Sequence, residues 1–204
     1  MSTTARTTTA RKVIGSLGVI GAAAAVAGLG TFGTFTDSTT PVSTQVTAGS
    51  VDINLATAGA AIPVTTADFV PGDSMSRAVT LSNDGDSALA SVNLAVTSTG
   101  ASNVLTTDTV NGLQLSLKSC SQAWTQGGSA TAPTYSCAGT ERTIGAGRAV
   151  NNIPLPNAAS INPGGKDHLV FTISLPHGAD NRFQEQSATL SLTFSALQRT
   201  ATAR

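Results

Sequence analysis

The side chains that could do chemistry in this chain are few: two cysteines, two histidines and some closely spaced carboxylates. Cys120 and Cys137 are its only cysteines. Their spacing is not Cys-x-x-Cys, which argues against a redox motif or part of a zinc site. In an exported chain two cysteines pair, and this bridge would close a loop carrying Gln126-Gly127-Gly128-Ser129 and Ala132-Pro133. It is expected to staple a floppy excursion between two strands, adding about 3 kcal/mol of stability by chain entropy. His168 and His177 are the only histidines, and no His-Glu-x-x-His motif occurs. A catalytic zinc needs about three protein ligands and an open position. His168 falls on the polar side of an alternating run, where solvent exposure explains it. His177 follows Pro176 at a strand end, where a loop role explains it. Asn83-Asp84-Gly85-Asp86 lacks the spacing of an EF-hand and reads as a hairpin turn. Asp68 and Asp73 flank Phe69-Val70-Pro71-Gly72 and read as turn caps rather than as an acid and a base. Nothing in their spacing singles out Lys118 or Lys166 for an isopeptide crosslink. Gly-x-Ser-x-Gly is missing, and Gly145-Ala146-Gly147 lacks the spacing and following helix of a phosphate cradle. The residues therefore suggest no catalytic group, no metal ligand and no cofactor.

The elements that would carry these residues are strands. Apolar residues alternate at Val51, Ile53 and Leu55; at Met75, Val79 and Leu81; at Ala90, Val92, Leu94 and Val96; and at Leu113, Leu115 and Leu117. Two further sets run Leu169, Phe171, Ile173, Leu175 and Ala188, Leu190, Leu192, Phe194, Ala196. Period two with Ser, Thr, Asn or Gln between gives strands with one apolar face. Such strands need a second sheet to cover them, which means an antiparallel β-sandwich. Pro71-Gly72-Asp73 and Pro163-Gly164-Gly165 are turn formers standing before strands. Asp180 to Gln186 reads equally as a short helical turn or as loop.

Ahead of the strands lies a different composition. Arg6, Arg11 and Lys12 precede an apolar run from Val13 to Leu29 that ends in Gly30-Thr31-Phe32-Gly33. A basic start, an apolar middle and small-x-small residues are the layout of a cleavable signal helix. The cut is expected between Gly33 and Thr34, and the run's glycines and alanines argue against a permanent membrane anchor. The expected organisation is a signal peptide over 1–33, a linker or donor segment over 34–48, and one domain over 49–204 with the bridged loop 120–137. Export would make the protein extracellular, with membrane contact only during passage. Lys and Arg equal Asp and Glu at eleven each in the whole chain. Losing the three basic leader residues leaves a mildly acidic remainder with no basic stripe for nucleic acid. Charged residues are only 11 % of the chain. A surface of Thr, Ser, Asn and Gln repels its own copies weakly and permits self-association.

Four stretches, in order, resemble one family. The leader, with Gly30-Thr31-Phe32-Gly33-Thr34-Phe35-Thr36-Asp37 across the cut, resembles those handled by the SipW-type signal peptidase. Val46-Thr47-Ala48-Gly49-Ser50-Val51-Asp52-Ile53-Asn54-Leu55 is similar to that family's first strand. Val70-Pro71-Gly72-Asp73-Ser74, continuing through Val79-Thr80-Leu81-Ser82-Asn83-Asp84-Gly85, is similar to its turn, strand and Asn-rich hairpin. Asn181-Arg182-Phe183-Gln184, running into Ser187 to Ala196, resembles its last strand. These are features of the TasA/camelysin family of exported biofilm-matrix proteins. The resemblance departs between Thr97 and Asn162, where this chain has its own bridged loop.

The resemblance implies a jelly-roll sandwich that polymerises, the mature N-terminal segment of one copy adding as a strand to the sheet of the next. Here that segment is Thr34 to Ala48, in which Asp37 is the only charged residue and Phe35, Val42 and Val46 could fill acceptor pockets. The partners would be further copies of the chain and, during export, the SipW-type peptidase. The alternative is a segment that forms a plain terminal stub. Two other functions stay open. The camelysin branch is described as a secreted metalloendopeptidase. A monomeric wall- or carbohydrate-binding module would need exposed aromatics, for which Trp124 and Tyr135 in the bridged loop are the candidates.

Overall fold

A computed structural model describes residues 42–43, 50–54, 60–67, 69–129 and 131–199. All of them lie in the compact unit Ser38–Arg204. They form two five-stranded sheets and a small hairpin. Sheet A runs β1 (Val42–Ser43), β3 (Ala60–Thr65), β12 (Thr189–Gln198), β5 (Leu89–Thr99), β10 (Asn152–Pro154). Sheet B runs β2 (Ser50–Asn54), β4 (Ser74–Ser82), β11 (Lys166–Ser174), β6 (Gln114–Cys120), β9 (Glu141–Arg148). Without β1 and β2, the orders 3-12-5-10 and 4-11-6-9 are those of an eight-stranded jelly roll, two Greek keys wound together. All neighbours pair antiparallel except β1 with β3 and β2 with β4, which are parallel.

The alternation becomes the core. Leu81, Leu94, Leu117, Phe171, Leu192 and Phe194 are completely buried and come from five strands of both sheets. Burying such side chains contributes about 1.5–3 kcal/mol each, which makes this seam the main source of stability. The two Pro-Gly turns introduce strands that pair with each other: β4 and β11 run in unbroken register from Ser74↔Ser174 to Ser82↔Lys166.

Three expectations change. Asn83-Asp84-Gly85-Asp86 is not a hairpin, because β4 and β5 on either side of it belong to different sheets. It is a corner. The buried Asn83 side chain accepts from the Gly85 N–H and donates to the Ser87 carbonyl, holding the chain as it crosses. Ala90 is exposed and Leu89 takes its place inside, because a β-bulge shifts the β5–β12 register between Leu197 and Gln198. The bridged loop is not a floppy excursion: β7 (Thr125–Gly128) and β8 (Pro133–Ser136) pair antiparallel within it.

Among the described residues three short helical pieces join the strands, one of them a 3₁₀ turn at Ala159–Ile161. Asn103 caps α1 (Val104–Thr107) in a reciprocal capping box with Thr106. Asp180 caps a 3₁₀ turn at Asn181–Phe183, which puts Phe183 into the core.

Candidate functional site

The two lateral sides of the sandwich differ. On one side the edges are β9 and β10. Strand β10 is three residues long and ends in Pro154, which cannot donate to a further strand. Strand β9 carries a bulge against β6 between Leu117 and Lys118 and begins and ends in charge at Glu141, Arg142 and Arg148. Short length, proline, bulges and charge are the devices that stop edge-to-edge pairing. On the other side the edges of the jelly roll are β3 and β4, and both receive a parallel strand from the N-terminal part of the chain. Strand β1 covers β3 at Ala60 and Ala61, and β2 covers β4 from Ala78 to Ser82. Among the described residues, Ile62–Thr65 of β3 and Ser74–Arg77 of β4 have no strand on that side.

These uncovered stretches adjoin the β3–β4 connection. There a cleft of about 510 Å³ opens between this connection and the β11–β12 loop. Phe69, Val70, Pro71 and Phe183 supply apolar wall, with Asp180 and Glu185 among the polar residues. Val70 is 59 % exposed, a large apolar side chain left in solvent. The turn below is firmly built. The Val70 N–H donates to the Asp73 carboxylate, as the turn-cap reading expects, and the Gly72 N–H donates to the Leu175 carbonyl. Gly72 has φ +99°, and the His177 ring occupies the space where a Cβ would stand, so His177 is a packing residue of this turn.

Carboxylates near the cleft are tuned by local donors. Asp108 titrates below its ordinary value, chiefly because it accepts from the backbone N–H groups of Asn111 and Val110. Asp180 is also lowered, first by the side-chain bond from Arg182 and then by that residue's N–H. Arg182 is raised correspondingly, Asp180 being the main cause. The Arg182 Nη2 lies 3.7 Å from the Asp108 carboxylate.

The bridged hairpin lies over the outer face of sheet B. Cys120 and Cys137 form the disulfide, with Cα atoms 5.8 Å apart. Strand β8 rests against β4. Ala78 and Val170, paired across β4 and β11 with their side chains away from the core, are buried nonetheless. Trp124 and Tyr135 are both half-buried, and the Trp124 indole N–H donates to the His168 carbonyl at 3.1 Å. His168 is accordingly half-buried rather than solvent-exposed, directly across from Cys120, and its Nδ1 is buried without a partner. Val42, expected to reach a neighbouring copy, lies in β1 and pairs here with Ala60 of its own chain, while Gly33, Thr34, Phe35, Val46 and Asp68 fall outside the described residues.

The family model for the camelysin metallo-endopeptidase matches residues 9–116. This is more than half of the chain, and the chain belongs to that family. No curated protein matches it. The match ends inside β6, so the bridged hairpin and the strands after it lie beyond the matched region. Among the described residues no three His, Cys, Asp or Glu side chains converge as metal ligands. The His177 ring packs against Gly72 and the His168 ring lies beneath the hairpin, and among the described residues neither belongs to a cluster of three ligands, so the described residues do not fit a zinc centre. The disulfide fits an oxidising compartment. The capping box Asn103-x-x-Thr106 was a readable signal for α1. Nothing in the sequence pointed to the cleft, which exists only once two distant loops meet.

Proposed function

We propose that this chain is a secreted structural protein of the extracellular matrix or cell surface, assembling into fibres by N-terminal strand donation after its leader is removed. The carrying observation is the asymmetry of the sandwich. One lateral side is blunted, whereas the other takes parallel strands from the N-terminal stretch and, among the described residues, still has free backbone on β3 and β4. Unpaired N–H and C=O groups on a sheet edge bind an extended segment readily. A Thr- and Val-rich stretch over 34–48 is suited to supply it. Family membership supports the same reading. Electron microscopy of the chain from Thr34 and of the chain from Gly49 tests it. Fibres from the longer chain alone support donation. Fibres from both, or from neither, overturn it.

A second reading comes from the family description, a metallo-endopeptidase, which in an exported chain would act outside the cell. Metal analysis with a chelator-sensitive caseinolytic assay tests it, and a pure, metal-free, inactive protein ends it.

A further inference from the structure

Arg77 stands in the uncovered stretch of β4, one residue before the start of β2's pairing at Ala78. It lies opposite Phe171 and alternates with Met75 and Val79, so its side chain leaves the strand on the core-facing side. A cation in that position needs partners. Arg77 is half-buried, its Nη1 donates to the Ser76 carbonyl at 2.7 Å, and its Nε is buried with no acceptor. Among the described residues no carboxylate forms an ion pair with it. A buried donor without an acceptor is destabilising, and a guanidinium is shaped to take a carboxylate.

We propose that Arg77 is the acceptor-side anchor for a second copy of this chain, binding the carboxylate of that copy's Asp37. The inference rests on the strand-donation reading and adds to it the register and the recognising charge. Complementarity carries it. Asp37 is the only ionisable side chain between Thr34 and Ala48. Arg77 is the cation on the stretch of β4 that, among the described residues, has no strand beside it. One charge on each partner also gives selectivity, because a segment lacking the carboxylate would bury the guanidinium unpaired.

Reciprocal charge reversal tests this. R77E and D37R are each expressed full length in a secreting host, recovered from the medium, checked for folding by thermal melt, and assayed by sedimentation and electron microscopy. Each alone is expected to lose at least tenfold in pelletable fibre. An equimolar mixture is expected to restore fibres, since the native Asp37 of one variant meets the native Arg77 of the other, and the two introduced charges are likewise opposite in sign. Should R77E fail to fold, R77Q, D37N and their double variant replace it. The double variant is then expected to lose no more than either single. Undiminished fibres from either single reversal overturn the anchor, as do a mixture that stays unpolymerised and additive losses in the neutral series. More fibre from R77Q would make Arg77 a guard against pairing and also overturn it. A parent chain that forms no fibres overturns strand donation itself, which separates the two failures.

Discussion

Trp124 and His168 are joined by a single bond, the indole N–H donating to the main-chain carbonyl at 3.1 Å. It runs from the bridged hairpin onto β11, the middle strand of sheet B. Together with the Cys120–Cys137 bridge it holds the hairpin over Ala78 and Val170.

Trp124→Phe keeps an aromatic ring but removes the donor and part of the indole's packing, and is expected to cost about 1–2 kcal/mol in urea unfolding. Replacing both cysteines by alanine is expected to cost about 3 kcal/mol. The two sites share one docked element, so their effects couple. Without the bridge the hairpin detaches more freely, and Trp124→Phe then costs less than it does in the parent. Equal costs in both backgrounds would mean that the hairpin docks without its bridge.

The turn before β11 distinguishes two kinds of glycine. A Cβ on Gly165 would collide with the main-chain carbonyl of Ala159, which cannot swing aside. Gly164 has φ +71° with open space around it. Both grip the corner residue Asn83, which donates to the Gly165 carbonyl and accepts from the Gly164 N–H. Gly165→Ala is expected to destabilise by about 2 kcal/mol through overpacking. Gly164→Ala is expected to cost about 1 kcal/mol from backbone strain alone. Thermal unfolding of the two variants gives the order, and the reverse order would contradict the collision.

Acid should loosen the loops beside the cleft. Asp108 and Asp180 both titrate below the ordinary carboxyl value of 3.8. A carboxyl with a depressed folded value contributes stability that is complete above its unfolded value and lost as pH falls through the folded one. Stability is therefore expected to be flat above about pH 5 and to fall below 3.8. Asp108→Asn should remove part of that fall. Unfolding measured from about pH 2 to 7 checks it, and an unchanged slope in the variant would separate Asp108 from the acid response.

Much of the jelly roll was legible in the alternation. Met75 to Leu81, Leu113 to Leu117, Leu169 to Leu175 and Leu190 to Ala196 became β4, β6, β11 and β12 or their flanks, because one-sided burial imposes period two. What stayed hidden depends on contacts distant in sequence. Strand β3, with Pro63 in its middle, and β9, with Gly145 and Gly147, lack strand-like composition and are held by their neighbours. Asn83-Asp84-Gly85 carries the local chemistry of a hairpin, but turn chemistry cannot tell whether the following strand folds back or crosses to the other sheet. Ala90 obeyed the alternation until a bulge displaced it. The half-buried states of Trp124 and His168 follow from the hairpin folding onto sheet B, which no local pattern records.

The central claim is that residues 34–48 of one copy join it to the next. Adding a synthetic peptide of that sequence to the chain starting at Thr34, with a scrambled peptide as control, tests it most directly. The account predicts that the authentic peptide fills the acceptor edges and shortens the fibres in proportion to its dose. Fibres of unchanged length at large excess of peptide would contradict it.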